Sequence, residues 1–362
     1  MSYLVIGEPA HVRDIMRRTD DFAPTNALTS VVPLAPATLR ILSKVRFALP
    51  PVLASATGAR HRAVRTMVGR FFTPAKVAAI EPRIRELTRD RLAAASTALQ
   101  RGPVDMADAV GRHIPPVVMA ELTGQETPEL ELLKRWSRDS LELFWGWPDP
   151  ERQLVLAHSA AEFYSWLRQE AAAARGTGSL FGVLDAAGLS SAEVCSLGYF
   201  LVIAGQETTS QLINTVLFRG LESPKTESES SWAALGDPLA ARNHVRQVLA
   251  TESSVHTWRR AAMRDTQVAG TAVPAGAEIL LELTGQHPEH AGPTAFSLAF
   301  GHGLHRCLGA KLAELETALV LEETARALPG LEPAGPPPQW LRLLSFQAPL
   351  SVHARTTSKG TP

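Results

Sequence analysis

The run FGHGLHRCLG, residues 300–309, sets Cys307 among three glycines and two histidines. A reactive sulfur needs its thiolate form, and a thiolate is favoured where a helix begins, because the dipole and the unpaired backbone N–H groups of the first turn face it. The leucines 308, 312, 315 and 319 recur at helical spacing on one face until Pro329 and Gly330. The pattern therefore predicts a helix starting at Cys307, with the sulfur at its N-terminus.

Several chemistries could use such a sulfur. His302, His305 and Cys307 could hold zinc, although no second histidine or cysteine cluster completes a structural set. A histidine base could turn the cysteine into a nucleophile, although no oxyanion motif accompanies it. A purely structural buried thiol leaves the glycine spacing without a purpose. A single axial thiolate on haem iron uses every feature. The metal keeps the thiol deprotonated, the thiolate pushes electron density toward O–O cleavage, and the glycines let backbone pass close to a flat, bulky group.

The elements that would position this loop are mostly helical, with short strands at both ends. From Ser190 the chain runs to Pro224 without proline, and Ser190 with Glu193 forms a capping-box pattern. This predicts one long helix, apolar nearly all round and so buried through the centre. A shorter helix is expected over Leu239 to Glu252. Strands are expected around Thr266 to Val273 and Glu278 to Leu283, joined by the turn Pro274-Ala275-Gly276. Residues 22–39 read as an apolar, proline-broken loop and 223–231 as a polar surface loop.

The combined pattern resembles the cytochrome P450 family. Phe300, Gly303, Cys307 and Gly309 match its haem-binding loop F-x-x-G-x-x-x-C-x-G, and His305 sits where bacterial members favour histidine. AGQET at 204–208 is similar to the family's A-G-x-[DE]-T within the long helix, and HRAVR at 61–65 to its H-x-x-x-R. The resemblance spans residues 1 to about 355. It implies a mainly α fold with a small β-rich region, one domain over 1–355, a polar tail over 356–362, and haem b as cofactor.

It also implies roles. Cys307 would ligate iron. His61, Arg65, Arg260 and His305 would seat the propionates, with Ala204, Phe300, Gly301 and Gly309 against the haem. Glu207 and Thr208 would deliver protons during O2 activation, Thr208 by back-bonding to the carbonyl four residues earlier and opening the helix. The implied activity is a haem-thiolate monooxygenase acting on a small or carrier-protein-bound substrate, of the kind found in bacterial secondary metabolism. A ferredoxin-type electron donor is expected, with Arg306 and Lys311 near its docking site. Residues 31–54, LFWGW at 143–147, Ala204 and SSVHT at 253–257 would face the substrate. Where the family carries E-x-x-R, the run RQVLAT has Gln247 and Ala250, and no arginine lies between Arg264 and Arg306. That departure leaves a second reading open, a degenerate relative that supports a partner enzyme.

Composition agrees with an enzyme of small molecules. The 362 residues carry 36 basic and 36 acidic side chains, which offers no bulk attraction for nucleic acid. Two cysteines, Cys195 and Cys307, suit a reducing cytoplasm. The N-terminal MSYLVIGEPAHVR has neither the basic lead nor the apolar length of a signal or membrane anchor.

Overall fold

The computed structural model describes residues 3–222, 231–286, 292 and 294–356. Helices make up 58% of it, with a small strand region, as expected for a mainly α fold. In the first half, β1 (Leu4–Ile6), α1 (Pro9–Arg17), β2 (Phe22–Ala23) and α2 (Pro36–Lys44) precede α3 (Gly58–Gly69), α4 (Pro74–Ala79), α5 (Glu81–Leu99), β3 (Val104–Asp105) and α6 (Ile114–Thr123). There follow α7 (Leu130–Trp145), α8 (Pro150–Ala173), α9 (Leu180–Ala186) and α10 (Ser191–Glu222). The second half holds α11 (Ser231–Ala234), α12 (Pro238–Glu252), β4 (Thr257–Ala262), β5 (Thr266–Val268), β6 (Thr271–Val273) and β7 (Glu278–Glu282). It closes with α13 (Ala310–Ala327), β8 (Leu331–Pro333), β9 (Trp340–Arg342), β10 (Gln347–Pro349) and β11 (His353–Thr356).

Local chemistry sets these boundaries. Asp149 and Asp237 accept backbone N–H bonds at the starts of α8 and α12, each followed by proline at the first helical position, where its missing N–H costs nothing. The capping box is formed as read: Ser190 N–H donates to Glu193 Oε2 at 2.9 Å, and Glu193 N–H donates to Ser190 Oγ at 3.4 Å. The helix it opens, α10, runs 32 residues and is buried along most of its length. It packs against α6, α8, α12 and α13, and so forms the axis of the helical core.

A four-stranded sheet, ordered β1-β7-β4-β2, sits beside this core, with β1 parallel to β7 and the other pairs antiparallel. Its register places Arg260 opposite Ile279. A second apolar cluster, including Val12, Ile15, Phe22, Ile279 and Leu281, fills the space under the sheet, and Val255 and Trp258 pack against both clusters.

Several boundaries differ from expectation. The helix after the cysteine begins at Ala310, not at Cys307, because Cys307 N–H turns back to the Phe300 carbonyl at 2.8 Å. Thr266 to Val273 is a hairpin on its own, not a strand paired with residues 278–283. Ala269 and Gly270 take φ of 49° and 80°, the two consecutive left-handed residues that a tight reversal requires. β7 pairs instead with β4 and β1. The stretch read as loop over 22–39 contains β2 and the start of α2 at Pro36. Of the expected polar loop 223–231, residues 223–230 lie outside the described residues, as do 357–362 of the expected tail, whose first residue Thr356 ends β11.

Candidate haem-thiolate site

One cavity of about 250 Å3 gathers most of the residues singled out by sequence. Cys307, Phe300, Gly301, His305 and Gly309 line it from the loop before α13, His61 and Arg65 from α3, Ala204 and Thr208 from α10, and Arg260 from β4. His61 and Arg65 converge because they lie four apart on one helix face.

The loop is shaped by its own hydrogen bonds. Gly301 and Gly303 take φ of 71° and 67°, a region side chains disfavour, and a Cβ on Gly303 would come 3.1 Å from the Met16 carbonyl. Gly301 N–H bonds Leu298 O at 2.8 Å, and Arg306 N–H bonds Gly303 O at 3.2 Å. The Cys307 sulfur lies deep in the protein yet remains accessible, because it opens onto the cavity. Burial pushes its thiol up, while Gly309 N–H, Arg65 and Arg306 pull it down. An unligated Cys307 is therefore held as the thiol, and coordination to a cation would convert it to the thiolate.

Among the described residues no carboxylate pairs with the basic groups around the cavity. Arg260 is 1% exposed, its Nη1 donates only to Arg259 O at 2.8 Å, and its Nε has no partner. Burial alone lowers its pKa to about 10. Both ring nitrogens of His61 are buried without partners, as is Nδ1 of His305, whose Nε2 meets Ala56 O at 2.7 Å. Burial, offset in part by that bond and reinforced by Arg260, His61 and Arg65, brings His305 down to about 4. Arg65 Nη2 donates to Arg306 O at 2.5 Å. Among the described residues no aspartate or glutamate lines the cavity. A pocket with buried cations, orphaned ring nitrogens and no carboxylate is suited to a ligand that brings its own carboxylates beside an apolar body. Haem has that composition, so the residues present fit it.

On α10, Thr208 Oγ1 donates to Ala204 O at 2.5 Å, the predicted back-bond. Glu207 is placed differently from expectation. It does not line the cavity; its carboxylate points to α7 and pairs with Lys134 Nζ at 3.1 Å. Lys134 also donates to Gln206 Oε1 at 2.6 Å and Ser210 Oγ at 2.9 Å, which uses all three ammonium donors. Burial pushes the Lys134 pKa down and Glu207 opposes it. Sequence reasoning missed Lys134, although its helical spacing with Ser137 and Leu141 puts it on the buried face of α7.

The segments expected to face the pocket line the cavity only in part. Val52, Leu53 and Ala54 line the cavity whereas Val31 does not, and Trp145 lines it whereas Trp147 is 59% exposed. Ser253, Ser254 and Val255 line it as expected. The two positions of the missing E-x-x-R differ in setting: Gln247 is exposed and Ala250 is buried.

No family model matches the chain. Individual relatives do. The erythromycin C-12 hydroxylase of Saccharopolyspora erythraea is 29% identical over 285 residues, 73% of this chain and 69% of that protein. The cyclomarin C epoxidase CymV of Salinispora arenicola is 27% identical over 314 residues, covering 81% and 77%. The solved structure of cytochrome P450 CREJ in complex with (4-ethylphenyl) dihydrogen phosphate superposes with a TM-score of 0.89 at 27% identity, covering 98% of this chain and 92% of that one. These relatives and neighbours are cytochrome P450s, and the chain is similar to them over most of its length. Cytochrome P450s such as these are monooxygenases, oxidoreductases with haem iron as cofactor that need O2 and a redox partner. Among the described residues no group of three or more His, Cys, Asp or Glu is placed to hold a metal ion. No described helix is long and apolar enough to cross a membrane.

Proposed function

We propose that this chain binds haem b, with Cys307 as the residue that would hold the iron, and oxidises an apolar small or carrier-bound molecule in bacterial secondary metabolism, in the cytoplasm, with electrons from a ferredoxin-type donor. The observation that carries the reading is that Cys307, Thr208 and the cations Arg65 and Arg260 line one cavity to which the described residues bring no carboxylate. Arg65, Arg260, His61 and His305 would hold the propionates, and Ala204, Phe300, Gly301 and Gly309 would border the haem. Bound haem supplies the centre at which O2 is reduced and split.

The remaining chemistry is the chain's own. Because the Thr208 hydroxyl donates to Ala204 O, its oxygen is left to accept from a water or other donor in the cavity. Glu207 points to Lys134 and away from that hydroxyl, so its carboxylate would reach the cavity only by leaving that cation. Away from the cations the wall is apolar, with Leu53, Phe200, Trp258 and Phe346, and it would exclude bulk water from a seated substrate. The hydroxylase and epoxidase relatives support oxidation of a natural product.

The test is a reconstituted system with a ferredoxin and its reductase, in which substrate-linked electron consumption and an oxygenated product are expected. The auxiliary-protein reading is favoured by one observation, the absence of an ion pair at Gln247 and Ala250. A protein that holds haem but consumes no electrons above background with a panel of apolar substrates would support that reading instead.

A further inference from the structure

We infer that Arg246, on α12, is a positioning residue that braces the cysteine loop from both of its ends; the inference rests on Cys307 as the iron ligand. Cys307 hangs between two supports. Before it lies the 3-10 turn Ala295–Phe300, whose last carbonyl accepts the Cys307 N–H at 2.8 Å, and after it lies α13. Displacing either support moves the sulfur.

One side chain touches both. Arg246 Nε donates to Glu314 Oε1 at 2.6 Å, in the second turn of α13. Its guanidinium also lies over the Phe296 ring, 4.7 Å from the centroid, within the preceding turn. The planar, delocalised cation is suited to this double contact: an edge bonds the carboxylate while a face stacks on the ring. Glu314 is only 18% exposed, so water competes weakly for its oxygen, although the Arg246 side chain is 41% exposed.

Among the described residues this is the one ion pair between α12 and α13. The neighbouring positions do not duplicate it. Gln247 is exposed, and Ala250 offers only a methyl, while its carbonyl caps the helix end by accepting from Gly285 N–H and Gln286 N–H at 2.9 and 3.0 Å. A ligand sulfur has to be held within about 0.5 Å of its working place by packed neighbours. α12 also packs directly against both supports, and Arg246 adds the ion pair and the ring contact that tie the two together.

The experiment uses haem-loaded full-length protein, with haem loss to an excess of a haem-scavenging globin as one readout and the thiolate-type carbon monoxide band as the other. Arg246→Ala should lose haem about three- to tenfold faster, the range expected from one partly exposed ion pair plus one cation–π contact. Its thiolate-type band should collapse at a lower temperature than its helical circular dichroism. Arg246→Lys keeps the charge but not the flat stack and should fall between. The exchange Arg246→Glu with Glu314→Arg should recover part of what each single change loses. Arg83→Ala, which breaks ion pairs to Glu86 and Glu121 away from the loop, should leave both readouts unchanged. Wild-type haem loss in Arg246→Ala, equal shifts of band and circular dichroism, or an exchange no better than the singles would overturn the inference alone. A wild type lacking the thiolate-type band would overturn the ligand assignment and the inference together.

Discussion

Glu316, on α13, should make the protein lose stability as pH rises through neutrality. Its side chain is 1% exposed, Oε1 has no hydrogen-bond partner, and burial raises its pKa from 4.5 to about 8, with only Lys134 pulling the other way. The folded state therefore holds a proton that the unfolded chain has released. Because the native form binds more protons between about pH 4.5 and 8, unfolding free energy falls with pH in that window. At about 1.36 kcal/mol per pH unit, a carboxyl that titrates at about 8 instead of 4.5 costs about 4 kcal/mol between pH 5 and 8.5. Such a loss would be a large part of the ~5–15 kcal/mol that usually keeps a protein folded. Glu316→Gln cannot ionise, so it should gain on the wild type by roughly this amount over the same interval. Denaturant unfolding of both proteins at pH 5, 6.5, 7.5 and 8.5 measures it. Parallel pH profiles would show that Glu316 is ionised or solvated in the native protein, and the account of its buried, unpartnered carboxyl would be wrong.

Other expectations concern single side chains. Lys134→Met should destabilise by about 3–5 kcal/mol, because it leaves the Glu207 carboxylate buried without its cation, and Lys134→Met with Glu207→Gln should cost clearly less than the two changes summed; chemical denaturation of the four proteins reads this coupling. Arg260→Met should act in opposite directions, stabilising the haem-free protein by about 3 kcal/mol as an uncompensated cation is removed while weakening haem retention, and equal shifts in both forms would argue against a propionate at this position. Ala250→Arg should be severely destabilising at a site 1% exposed, whereas Gln247→Glu should stay within about 0.5 kcal/mol, as thermal melts can show. Thr208→Ala should retain haem and substrate binding but divert electrons to peroxide, measured as the ratio of peroxide to oxygenated product.

How far the sequence carries the structure depends on whether local chemistry decides an element. The capping box and the long apolar run were sufficient for α10, and the proline-led starts of α8 and α12 follow from side chains a few residues away. The cavity membership of Cys307, Thr208, His61, Arg65 and Arg260 was legible through motif spacing. What was not legible depends on distant partners. Cys307 lies outside α13 because its N–H reaches back to Phe300, which no helical period encodes. Glu207 turns from the cavity because Lys134, 73 positions earlier in the chain, meets it from α7. The hairpin Thr266–Val273 was misjudged locally, since Ala269 takes a left-handed φ that its residue type does not advertise.

The central claim, that Cys307 ligates haem iron in this cavity, is tested most directly by the reduced carbon monoxide difference spectrum of the purified protein beside that of Cys307→Ser, with haem content and circular dichroism measured on the same samples. The wild type should show the thiolate-type band, and Cys307→Ser should lose it while keeping its helical signal, since the packed face of α13 is untouched. The same band in both proteins, or none in a wild type carrying stoichiometric haem, would contradict the claim.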